Sequence, residues 1–436
     1  MRDIALFVFI LGLIPFILYR PHLGVLAYIW LSVMNPHRLT WGYAYDFSFA
    51  LIIGATTLIG ALFTRRRSSV PVNSLSIALG LFMIWTTITT VAALYPAEAY
   101  EKWLVMAKTL FIVLMIPVLI QTREHFRMLI WVIVISLAYY GVKGGVFVLL
   151  TGGAFRVWGP AGSYIEDNNA LAVGLVIIVP MLRYLQLTSP YRSVRWMLLA
   201  MMLLCAVAVF GSYSRGALLA VTAMGAFLWL KGRHKLTFII VAFMSMPFLL
   251  AYMPEQWYRR METIGTYELD SSAGMRLNSW GTMLNIARDR PIFGAGYEVA
   301  KKPIYDRYAP DPSFPPQVAH SIYFEALGSH GFVGLALYLT VLVCHWRYAG
   351  KIVRTAADRH DLAWARHYGL MMQVSIVGFA VGGAFLSIIL FDVPYYLIGA
   401  TLVVGRLLEH SLKAQKRASE AASPVPAIAA ARESSA

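Results

Sequence analysis

The chain has 436 residues, of which 59% are hydrophobic and only 14% charged, and its formal net charge is +15. Soluble domains carry about a quarter charged residues, so this composition excludes a soluble globular protein and points to a polytopic membrane protein. The basic excess does not signal nucleic acid, because it is divided among short loops between apolar runs, where it reports topology.

Apolar segments fall at 4–19, 22–34, 47–63, 76–95, 103–121, 128–150, 169–188, 196–212, 216–231, 236–252, 321–344, 370–391 and 394–408. Arg20-Pro21-His22 interrupts the first two, which form either one broken crossing or a hairpin; the broken crossing is the preferred reading. The expectation is an all-α polytopic membrane protein of about twelve transmembrane helices. The first segment has no small-residue cleavage site and reads as a retained membrane segment. The basic loops (Arg65 to Arg67, Arg123 to Arg127, Arg192 to Arg195, Lys231 to Lys235 and Arg347 to Arg366) all fall on one side if each segment from 47–63 onward crosses once. That side is then cytoplasmic, with the C-terminus.

Charges inside spans usually face a bundle interior or a cavity. Lys108 and Lys143 interrupt apolar segments in their outer portions, and the polar turn from Arg156 ends in Ile165-Glu166-Asp167-Asn168-Asn169. Each of these charges, taken singly, reads equally well as a snorkelling residue or a structural ion pair. The next outer turn is Tyr213-Ser214-Arg215-Gly216-Ala217-Leu218-Leu219, where Arg215 could likewise snorkel to headgroups.

Four regions follow from this pattern: an N-terminal transmembrane bundle over 1–252, a long periplasmic loop over 253–320, C-terminal transmembrane helices over 321–410, and a disordered cytoplasmic tail over 411–436, rich in Ala, Ser and Pro. The loop holds eight basic and eight acidic residues and so escapes the positive-inside bias. Within it, Ser272 to Trp280 leads into Met283, Leu284 and Ala287 at helical spacing, which predicts an amphipathic helix along the membrane surface. Arg288-Asp289-Arg290-Pro291 ends that helix, and Gly294-Ala295-Gly296-Tyr297 makes a turn.

The most informative pattern comes next: His320-Ser321, nine residues, then Gly331-Phe332-Val333-Gly334. It sets an imidazole where the polar loop meets an apolar span. Gly331 and Gly334, three apart on one helix, predict close helix packing. His330 lies about 15 Å further along at 1.5 Å per residue and reads as a packed polar contact. Asp392, at the outer end of its span, is a candidate partner for an arginine.

This pattern resembles the H-[N/S/Q]-x9-G-x2-[G/T/Y] signature of bacterial O-antigen ligases. Arg215 with Leu219 resembles their R-x3-L element, and Arg276-x3-Trp280 followed by Arg290-Pro-Ile-Phe-Gly-Ala-Gly-Tyr297 is similar to the segment preceding the histidine. Asn35-Pro36-His37-Arg38-Leu39-Thr40-Trp41-Gly42 is similar to the exosortase-associated O-glycosylation ligase branch. The resemblance implies transfer of a glycan from undecaprenyl diphosphate to a lipid A–core sugar hydroxyl, at the periplasmic face of the bacterial inner membrane. His320 would be the general base. Arg215, Arg276, Arg288 and Arg290 would bind the diphosphate, whose charge and oxygens suit guanidinium forks; Arg276, which opens the surface helix, is the preferred loop arginine, and Arg288 and Arg290 read equally well as interfacial charges. Lys108, Lys143, Arg156, Asp167, Ser321 and Asp392 would support them.

A polymerase or protein O-glycosylation ligase would use the same donor, although no R-x10-G stands among the outer arginines. A lipid or solute transporter is the alternative from another class; the chain has no internal repeat. Neither a Walker loop, a G-x-G-x-x-G helix opening nor zinc-type His/Cys spacing occurs, and Cys205 and Cys344 both lie in apolar segments. The expectation is metal-independent chemistry without a cofactor.

Overall fold

A computed structural model describes residues 1–64, 67–232, 253–262 and 271–422. The described chain is helical, with no strand among these residues. The helices are α1 Arg2–Tyr19, α2 His22–Met34, α3 Phe49–Phe63, α4 Ser74–Val91, α5 Pro96–Leu119, α6 Arg123–Thr151, α7 Asn168–Thr188 and α8 Arg192–Gly211. There follow α9 Arg215–Lys231, α10 Glu255–Glu262, α11 Ser271–Asp289, α12 Lys302–Tyr308, α13 Ile322–Thr355, α14 Ala363–Gly383 and α15 Asp392–Ala422. Seven of the described helices (α1, α4, α5, α6, α7, α8 and α13) are long and apolar enough to cross a membrane, and α2 and α3 are shorter apolar helices. The expected segment 236–252 lies outside the described residues.

α7 is the hub, packed among α6, α8, α9 and α14. At one end of the bundle lie the described basic segments 123–127, 192–195 and 347–366: Arg123 stacks on Trp364 at 5.0 Å, and the Arg406 guanidinium donates to the carbonyls of Pro117 and Ile120 at the C-terminus of α5, where helix carbonyls favour a cation. At the other end gather the turn before α3, the turns 92–95, 152–167 and 212–214, the described residues 253–262 and 290–321, and the turn 384–391. Val157 N–H donates to Gly211, Asn168 to the Ser212 carbonyl and Leu94 N–H to Ala295. This loop end holds the candidate site.

Three expectations are corrected. The first two segments are a hairpin, not one broken crossing. Asp3 accepts from the N–H groups of Gly42 and Ala44, both at 3.1 Å, and Phe9 packs edge-on to Trp30 at 5.5 Å. The start of α1 therefore lies beside the end of α2, at the loop end, and the chain reverses at Arg20-Pro21, where proline has no N–H for a continuing helix. The expected span 370–391 starts earlier and ends at Gly383, and 384–391 folds back over the loop end. Last, the expected tail is helical as far as Ala422, because its Ala, Lys, Gln and Glu residues prolong α15; 423–436 lie outside the described residues.

The helix predicted from Ser272 is present as α11, but it does not lie free along a surface. Met283, Ile286 and Ala287 are fully buried, Trp280 stacks on Phe324 at 5.1 Å, and the helix packs on the first part of α13.

Candidate active site

α13 breaks at Gly331, whose φ of 69° and ψ of −173° interrupt the helix. The loop that precedes it stitches the break. Ala295 N–H donates to the Gly328 carbonyl at 2.9 Å, Gly296 N–H to Ser329 at 2.8 Å, and Phe332 N–H to Pro291 at 2.8 Å. The turn Gly294 to Tyr297 thus caps the carbonyls that the broken helix leaves open. A methyl on Gly331 would meet the Ile292 carbonyl oxygen at 2.3 Å. The expected role of Gly331 in helix–helix packing is therefore corrected: it allows a backbone break beside another backbone.

Gly331→Ala should cost at least about 1–3 kcal/mol for the left-handed conformation alone, before the collision with Ile292. Thermal unfolding of the detergent-solubilised protein measures it. Gly80→Ala, where nothing lies within 4 Å, should leave Tm unchanged; an equal fall in both variants would refute a special constraint at Gly331.

The break leaves a short first helix with His320 and Ser321 at its start. His320 adopts φ 49°, a left-handed conformation that costs a non-glycine residue about 1–2 kcal/mol. It is held there by its own N–H, which donates to Ser387 Oγ at 2.7 Å. The turn 384–391 therefore fixes the histidine's backbone, and the side chain stays half-buried. Burial and then the Arg276 guanidinium hold its pKa below the ordinary 6.5, while Asp167 pulls it up. The imidazole is neutral at pH 7 and able to accept a proton.

Both charged neighbours come from elsewhere in the sequence. Arg276 lies in the first turns of α11. Asp167 caps α7, accepting from Asn169 N–H at 2.7 Å and Ala170 N–H at 3.0 Å, which fixes its carboxylate. Arg215 opens α9 behind the cap Ser214, and the following Gly216 packs on Phe385 of the turn that holds His320. His320, Arg276, Asp167 and Arg215 thus share one region, tied together by the turns 212–214 and 384–391.

Other sequence candidates lie elsewhere. α11 runs alongside α13, with Trp280 against Phe324 and Met283 against Gly328. Arg288 is twelve residues beyond Arg276, about 18 Å along the helix, and exposed. Arg290 donates to the Ala92 carbonyl at 2.6 Å and ties the loop to the α4–α5 turn. Neither is brought to His320. Arg156 lies over the Tyr213 ring at 5.7 Å, Lys143 is exposed on α6, and Lys108 is exposed near the middle of α5. Ser321 is buried at the cap position of α13 without a side-chain capping bond. Asp392 meets hydroxyls rather than an arginine: Ser32, Thr109 at 2.8 Å and Tyr396 at 3.3 Å. His330 is fully buried, its Nδ1 2.7 Å from Thr89 Oγ1 and its carbonyl accepting from Trp85 Nε1 at 3.0 Å.

Glu325 was not anticipated. Its Oε2 faces Ile389 N–H at 3.5 Å, on the same turn that holds His320, and it feels the charge of Lys102. Desolvation, and then the carboxylates of Asp392 and Glu325, push the Tyr164 hydroxyl up to about 12. A second polar cluster therefore lies beside the first. A lone carboxylate in the apolar run after His320 was the available signal.

Residues 200–339 match the O-antigen ligase family (Wzy_C), and residues 1–190 match a family of unknown function (DUF5935). No curated protein matches the chain. The first match contains Arg215, Arg276 and His320.

Proposed function

We propose that this chain, whose residues 200–339 match the O-antigen ligase family, is a ligase/polymerase-type membrane glycosyltransferase that transfers a glycan from undecaprenyl diphosphate to a lipid A–core sugar hydroxyl at the periplasmic face of the inner membrane. The observation that carries this reading is the neutral imidazole of His320 beside Arg276 and Asp167, at the end of the bundle opposite the basic segments. A sugar hydroxyl is a poor nucleophile, and a base with a pKa near or below neutrality removes its proton as attack proceeds.

In the proposed step the acceptor oxygen bonds to the anomeric carbon and its proton passes to a ring nitrogen of His320. The bond from that carbon to the diphosphate oxygen breaks, and the electron pair leaves with the diphosphate. Arg276 and Arg215 stabilise that growing charge, and the Asp167 carboxylate favours the imidazolium as it forms. A single displacement inverts the anomeric configuration. Cleavage of the diphosphate linkage supplies the driving force, and no metal is assigned a role.

The test is direct: purified protein is given a polyprenyl-diphosphate glycan with either a lipid A–core acceptor or a second copy of the donor, and the products are identified. The glycosylated core with inverted linkage is expected. A lengthened donor alone would make the protein a polymerase, and vectorial movement of lipid with no new glycosidic bond would make it a transporter.

A further inference from the structure

A lateral groove of about 620 Å³ lies outside the site, within the segment that matches the family of unknown function. α3 and α5 both pack on α2 and leave the groove between them. Its walls are apolar, with Leu51 and Leu58 on α3 and Leu104 and Phe111 on α5, over Tyr28 of α2. Leu51 is 65% exposed on the side that would face lipid. The upper rim carries His37, Arg38 and the Asp46 carboxylate, and Lys108 stands in the α5 wall.

Two features of this lining point to a ligand. Lys108 is exposed near the middle of the 24-residue α5, and among the described residues it makes no ion pair or hydrogen bond. A charge at that position in a membrane span is expensive unless something anionic meets it. Arg38 is 3.0 Å from Asp46 and stacks on Tyr45 at 4.5 Å, yet its buried Nε and the buried His37 Nδ1 have no hydrogen-bond partner among the described residues. The rim thus offers unmet hydrogen-bonding atoms above a hydrocarbon-lined trough.

The same rim opens to the interior. His37 and Arg38 also line a smaller cavity of about 150 Å³ that reaches Tyr164 and Asp392. The Arg38 guanidinium packs against Gly162, and five residues later Asp167 influences His320; that stretch of backbone spans at most roughly 18 Å. The groove is walled by α2, α3 and α5, whereas Arg215 is carried on α9, which packs on α7 and α14.

We propose that the α2–α3–α5 groove binds the lipid-anchored acceptor, a glycolipid with a phosphate-bearing headgroup, its chain between α3 and α5 and its phosphate at Arg38 and Lys108. The proposal rests on the transfer reading above. An inverting displacement needs the nucleophile to arrive opposite the leaving group. With the donor diphosphate at Arg215 and Arg276, the acceptor enters from the other flank.

A bis-phosphorylated diacyl glycolipid carrying a diazirine in one acyl chain, in phosphatidylcholine nanodiscs, tests this by mapping of photo-cross-links. Labelling should concentrate on peptides of α3 and α5. It should fall about ten-fold in Arg38→Gln and in Lys108→Met, the loss of one charge-assisted contact. Lys108→Met suits a span, so a weak signal from it is not a folding failure, and Tm verifies this. The dephosphorylated probe should label poorly, and unlabelled undecaprenyl phosphate should displace less probe than the unlabelled glycolipid.

Equal labelling by the dephosphorylated probe, or unchanged labelling in both variants, overturns the site. Stronger displacement by undecaprenyl phosphate overturns the acceptor assignment. His320→Ala should keep full labelling, so the groove and the chemistry fail separately: labelling without any transfer by the wild type refutes the transfer reading alone.

Discussion

His320→Ala is expected to lower glycan transfer by about 10²–10⁴-fold, the usual contribution of a general base, with little change in Tm. The hydrogen bond that holds this residue is made by its backbone N–H to Ser387, so an alanine keeps it. The half-buried imidazole leaves no large cavity in a core. Near-normal transfer by the variant removes the base from the mechanism.

The pH profile sharpens the test. A base works only when unprotonated, and the His320 pKa is held below 6.5 by burial, then by Arg276, against Asp167. The wild type should therefore keep its activity below pH 6.5 and lose it as the pH falls through that lowered value. Arg276→Gln removes a depressing charge and should move the acid limb to higher pH. Asp167→Asn removes a raising charge and should move it lower, while asparagine still caps α7. Limbs that stay put in both variants, or move the other way, refute the assignment of the titrating group.

Arg215→Lys and Arg276→Lys are each expected to lower transfer by about ten- to a hundred-fold, because lysine keeps the charge but not the planar fork that matches two phosphate oxygens. The loss should persist at saturating acceptor, since the defect concerns the donor. An arginine that only anchors to headgroups would tolerate lysine. Arg288→Lys should be silent in transfer, and Arg290→Lys should show in Tm through its bond to the Ala92 carbonyl. Chelation with EDTA should leave the wild type active. Wild-type transfer by both lysine variants, or loss with EDTA that Mg²⁺ restores, sinks the arginine clamp.

What the linear pattern determined follows from solvent and backbone. Apolar runs long enough to cross hydrocarbon, broken by basic loops, specify an α-helical membrane bundle because no other structure satisfies its backbone in lipid without closing a barrel. The helix after Ser272, the turn at Gly294 to Tyr297 and the histidine at the head of α13 were legible for the same local reasons. Tertiary structure alone decided what required distant residues to meet. The hairpin of α1 and α2 depends on Asp3 reaching Gly42 and Ala44. The role of Gly331 depends on the Ile292 carbonyl, and periodicity could not reveal a backbone collision. Among the loop arginines the sequence already favoured Arg276, which opens the surface helix, over Arg288 and Arg290, which read equally well as interfacial charges. Only the structure shows Arg276 near enough to His320 to depress its pKa, with Arg288 about 18 Å further along the same rigid helix. Glu325, Asp167 and the groove above Lys108 acquire meaning only from their surroundings, since charge inside a membrane is read by what lies opposite it.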